Sequence, residues 1–95
     1  MADERKAVTE ENARRVARWL VENRAEFEGE GVAEDRLAPS LRMAGAEATE
    51  AVDYLEAREE AVRVPLALTT PPQFMLKPGR GWRELRDGLL GAVET

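Results

Sequence analysis

The apolar residues of this chain switch from a helical to an alternating spacing near residue 60, and that switch limits the folds open to it. Ala13, Val16, Ala17 and Leu20, and later Ala48, Ala51, Val52 and Leu55, recur three and four positions apart, the repeat that lines up side chains on one stripe of an α-helix. From Val62 onward the pattern alternates: Val62, Val64, Leu66 and Leu68 are interleaved with Arg63, Pro65, Ala67 and Thr69, the period-two signature of a strand with one buried face. Helices followed by a hairpin predict an α+β domain that is mostly α. Ninety-five residues suffice for one such domain with a modest core, not for two lobes around a deep cleft, so residues 1–95 are read as a single domain.

Local punctuation places the elements. Residues 1–8 are polar and expected to fray, and Thr9, with Glu10 and Glu11 in the following turn, is the expected N-cap of the first helix. Arg14, Arg15, Arg18 and Glu22 fall on its outer face, Trp19 and Val21 widen its buried stripe, and Phe27 precedes the ending at Gly29 and Gly31. Asp35 is expected to cap a short second helix with Leu37, Ala38 and Leu41 inward, and Gly45 to permit the sharp turn into a third helix over about residues 46–59. That third helix exposes Glu47, Glu50 and Asp53. Pro65 restricts its strand to a sheet edge or to a non-bonded side, residues 69–72 form the turn, and Phe74, Met75, Leu76 and Lys77 return. Pro78-Gly79 is a rigid corner that lets Trp82 cover the open end of the core, and Leu85, Leu89, Leu90 and Val93 trace a C-terminal helix across Gly88 and Gly91.

Helix, short helix, turn, helix and β-hairpin in this order resemble the winged helix-turn-helix superfamily over roughly residues 10–77, on the residues Leu37-Ala38 with Leu41 and the pattern Ala51-Val52, Leu55-Glu56, Val62. The resemblance implies three helices, a hairpin wing and a short first strand of which Val32 and Ala33 would be the remnant, in a fold usually met in nucleic-acid-binding proteins; the C-terminal helix read from the residues after Gly81 completes it. Carried over by position, it also implies that Arg42, Thr49 and the outer face around Glu47 and Glu50 would meet the major groove, with residues 69–73 as the wing tip. The exposed residue types point elsewhere. Phosphates and base edges are met chiefly by Arg, Lys, Asn and Gln, and the outer face of the third helix offers none before Arg58.

Charge placement sharpens the conflict. The net charge is −5, and residues 22–60 hold twelve acidic and four basic side chains, so the acidity sits where the reading helix would be. The basic residues collect instead at Arg63, Lys77, Arg80, Arg83 and Arg86. Hairpin pairing is expected to bring residue 63 close to 77–78, uniting Arg63, Lys77 and Arg80 at the base of the wing as a small anion-binding patch. The plainer reading is that Glu59, Glu60, Glu84 and Asp87 neutralise these arginines in surface ion pairs.

The chain has no Cys and no His, which removes thiolate and imidazole chemistry, disulfides and the usual zinc sites. The carboxylate pairs Glu47 with Glu50 and Asp53 with Glu56 lie on a solvated stripe that would not perturb their acidity, and residues 77–82 lack phosphate-loop spacing. The expectation is therefore a non-enzymatic module without cofactor or metal. Two functions stand open: a nucleic-acid-binding regulatory domain using Arg42, Arg63, Lys77, Arg80 and Arg83, or a protein-interaction module presenting Glu47, Glu50 and Asp53 to a basic partner. A cytoplasmic location without membrane contact is expected from the absence of a long apolar run and the charged residues 3–6. Homodimerisation through Trp19 or Leu89 and Leu90 is a further option.

Overall fold

The computed structural model describes residues 2–68 and 70–94, with side chains described for 4–68 and 70–91. Helix α1 spans Ala2–Glu22 and α2 spans Arg24–Glu28. The short strand β1, Val32–Ala33, leads through a 3₁₀ turn at Glu34–Arg36 into α3, Leu37–Leu41, and then α4, Gly45–Ala57. Strands β2, Ala61–Pro65, and β3, Phe74–Pro78, form the hairpin, and α5 covers Trp82–Glu94. The three strands make an antiparallel sheet in the order β1-β3-β2, with Val32 opposite Leu76 and Arg63 opposite the same Leu76 on its other side. This is a winged helix-turn-helix, closed by a C-terminal helix.

The core forms where α1 packs on α4 and the sheet closes one side. Val16, Leu20, Phe27, Val32, Leu37, Val52 and Leu76 are fully buried, and these are helix positions together with one residue each from β1 and the central strand β3. Several boundaries differ from the sequence reading. The first helix begins at Ala2 rather than Thr9, and Arg5 from the added turns pairs with Glu50 of α4 at 2.8 Å. It ends at Glu22, where Asn23 Nδ2 and the Asn23 backbone N–H both donate to the Trp19 carbonyl, so Phe27 belongs to a separate short helix. Asp35 lies within the 3₁₀ turn and caps nothing. The left-handed residue of the α3–α4 turn is Arg42, at φ 53°, not Gly45, which is already the first residue of α4. There the Met43 N–H donates to the Ala38 carbonyl at 3.0 Å, closing α3 as a Schellman cap would.

The hairpin carries the largest correction. Period two holds, but the face is inverted: Ala61, Arg63 and Leu76 point inward, while Val62 and Val64 are 41% and 39% exposed and Leu66 and Leu68 also face solvent. The inward arginine is tolerated because carboxylates from two neighbouring elements meet it. Pro65 takes the edge, one of the two positions open to it, and that edge is further blocked where the Arg63 backbone N–H donates to Glu56 Oε2. Thr69, assigned to the wing tip, and the side chain of Val93, assigned to the closing stripe, lie outside the described residues.

Trp82 is buried and seals the core as expected, its ring edge-on to Phe27 with centroids 4.6 Å apart. The corner before it depends on Gly79: a Cβ there would lie 2.2 Å from the Glu59 carbonyl oxygen, closer than any side chain can approach. Among the described residues no helix is long and apolar enough to cross a membrane.

Candidate nucleic-acid interface

The outer surface of α4 is built from side chains one turn apart, and each carboxylate named from the sequence has an intramolecular partner. Glu47 reaches back to accept the Ala44 N–H at 3.0 Å, the reciprocal half of a capping box, because three residues separate it from the N-cap. Glu50 pairs with Arg5, and Asp53 with Arg63. Thr49 donates its hydroxyl to the Gly45 carbonyl at 3.0 Å and so spends it within the helix. The face remains acidic in sum, but none of the three carboxylates projects without a partner.

Arg63 sits beneath this face and not on a basic patch. Strand register puts Val62 opposite Lys77, so these two share the outer face, whereas Arg63 and Leu76 share the inner one. The expected union of Arg63, Lys77 and Arg80 is therefore divided by the sheet itself. The Arg63 guanidinium holds Glu34 at 2.7 Å and also binds Asp53 and Glu56. Hydrogen bonding to Glu34, then to Asp53, raises its pKa further above the already high arginine value, against the opposing effect of burial. Glu56 was noted only as part of a solvated acidic stripe, and Glu34 was not singled out in the sequence. The parity of Arg63 with the small inward residue Ala61 was the signal that could have led to both.

The other named cations lie at the surface. Arg42 is exposed in the turn leading into α4, and Lys77 and Arg83 are exposed at the end of β3 and in the first turn of α5. Among the described residues no ion pair engages Arg42, Lys77 or Arg83. Arg80 pairs with Glu59 at 2.6 Å and is held more basic by that hydrogen bond, as the neutralising reading anticipated, yet its side chain stays 84% exposed. Arg83, Arg80 and Arg86 flank a shallow cleft beside Trp82. Arg86 is turned toward Glu28 at 2.9 Å and Asp87 at 3.0 Å. Trp19, Leu89 and Leu90 pack against the core while remaining partly exposed. A second cleft, of about 540 Å³, opens between the N-terminal half of α4 and the wing, with Arg63 and Phe74 on one wall and Ala48 and Thr49 on the other.

Topology and side-chain placement together define a winged helix-turn-helix fold in which α4 is ion-paired on its outer face and the open cations lie in the α3–α4 turn and at the base of the wing. No family model matches the sequence, and no curated protein sequence matches it significantly. Among solved structures the chain is similar to a mutant of MepR from S. aureus, determined bound to an oligodeoxyribonucleotide, with a TM-score of 0.65 over 98% of this chain and 70% of that one. The two sequences are 12% identical, so what they share is the fold.

Proposed function

We propose that this chain is a non-enzymatic, cytoplasmic winged-helix module that binds nucleic acid in a regulatory role. The observation that carries the reading is the extent of the fold: 98% of the chain follows the backbone of a protein solved on an oligodeoxyribonucleotide, C-terminal helix included. Arg42, Lys77 and Arg83 are the phosphate contacts in this reading, with Arg80 released from its solvent-screened, exposed pair with Glu59. A net charge of −5 opposes approach at long range, so affinity must come from these short-range contacts rather than from steering. The protein-contact alternative loses ground because Glu47, Glu50 and Asp53 are already engaged within the chain. A homodimer joined through the partly exposed Leu89 and Leu90 would double the contact set, and sedimentation would register it as twice the monomer mass.

Titration of random-sequence duplex DNA against the protein tests the proposal. Three to four phosphate contacts per chain give a log-log salt slope of about −3 to −4 between ~50 and ~200 mM salt. Absence of binding at ~50 mM salt, where such contacts are strong, would remove the reading.

A further inference from the structure

A guanidinium has five N–H donors, and all five of those on Arg63 are used. Nε and one Nη2 hydrogen grip both oxygens of Glu34, at 2.7 and 3.0 Å. The other Nη2 hydrogen goes to the Thr49 carbonyl at 3.1 Å, and Nη1 divides between Asp53 and Glu56. The acceptors belong to the 3₁₀ turn before α3 and to three successive turns of α4, while the arginine belongs to β2. Arg63 and Glu34 are 14% and 16% exposed, so this pair is the most enclosed ion pair among the described residues. The backbone adds a sixth link, from the Arg63 N–H to Glu56.

We infer that Arg63 is a positioning residue for nucleic-acid binding, a clamp that fixes the wing against α4 and cancels part of the carboxylate charge beneath the interface, and not a phosphate contact. This rests on the reading of the chain as a nucleic-acid-binding module. Strand β2 is short, is an edge strand, and turns Val62 and Val64 outward, so little apolar burial holds the wing to α4. Ala61 anchors the strand's beginning, and the arginine does the rest. Without it Glu34, Asp53 and Glu56 are left as uncompensated neighbours, and the hairpin loses its register with the reading helix.

Lysine separates a clamp from a contact. An ammonium keeps the charge a phosphate would need but cannot form the bidentate fork on Glu34 together with bonds to α4. In the 95-residue chain, Arg63→Lys and Arg63→Gln should each weaken duplex binding about tenfold, with the salt slope unchanged. Backbone hydrogen exchange should quicken at residues 62–77 but not at 13–20, which marks local loosening and not general destabilisation. Near-wild-type affinity in Arg63→Lys, or a slope reduced by about 0.9 in Arg63→Gln, would overturn the inference in favour of a direct contact. If the unaltered chain binds no duplex, the functional reading fails by itself. Exchange then judges the clamp alone, with unchanged protection at 62–77 refuting it. Should the arginine variants not fold, Glu34→Gln removes the fork while leaving Asp53, Glu56 and Thr49 in place, and the same exchange pattern is expected from it.

Discussion

Replacing Trp82 with phenylalanine tests the account of how the base of the wing is held. The indole stands edge-on to Phe27 and donates Nε1–H to Glu28 Oε2 at 2.7 Å, joining α5 to α2 beneath the sheet. Phenylalanine preserves an aromatic edge but deletes the donor and roughly 40 Å³ of side chain, which at about 24 cal/mol per Å³ costs ~1 kcal/mol. The lost hydrogen bond adds ~1 kcal/mol, below the ~1.5–3 kcal/mol of bonds to charged groups because Glu28 is partly exposed and can turn to water. A total of ~2 kcal/mol is a large share of the ~5–14 kcal/mol expected for a domain of this length, and corresponds to a fall of about 10 °C in Tm. Urea unfolding followed by circular dichroism measures it directly. A double-mutant cycle with Glu28→Ala, which removes the acceptor that a glutamine would keep, isolates the bond, since the pair between Glu28 and Arg86 is lost in both backgrounds and cancels. A coupling of ~1 kcal/mol is expected. A Trp82→Phe cost below ~0.5 kcal/mol, or no coupling to Glu28, would refute the argument that this contact fastens α5 to the core.

Three further outcomes follow from other contacts. Glu28 is held below the ordinary glutamate pKa by the hydrogen bond from Trp82 and then that from Arg86, so its stabilising contribution is complete above the unfolded-state pKa and disappears as pH falls through the lower folded value. The stability difference between wild type and Glu28→Gln should accordingly shrink in acid, and a difference that is constant from pH 7 to pH 3 would contradict this assignment. Gly79→Ala drives a methyl group into the Glu59 carbonyl, which also accepts the Gly81 N–H at 2.8 Å, and should cost ~2 kcal/mol or more in urea unfolding. Arg42→Gly relieves a left-handed arginine at the end of α3 and should stabilise the fold by ~0.5 kcal/mol while lowering the salt slope of duplex binding by about 0.9, so that stability and binding move in opposite directions.

The succession of helices, the hairpin, the restriction that Pro65 places on its strand, the corner at Pro78-Gly79 and the sealing role of Trp82 were all legible in the order of residues. These are local matters: periodicity, fixed φ, the space only glycine leaves, and the size of an indole act within a few residues of where they are written. Helix limits were less legible, since the start at Ala2 is accompanied by Arg5 meeting Glu50, forty-five residues away in the chain. The face of the wing was decided by tertiary structure alone. Alternation states that two faces differ but not which is inward, and the apolar residues Val62 and Val64 were the natural choice until Glu34, Asp53 and Glu56 converged on Arg63 from outside the strand. The candidate site divided in the same way. Arg42, Lys77 and Arg83 stand at the surface, whereas Arg63 was removed from the basic cluster by a one-residue difference in strand parity and became the link between wing and helix.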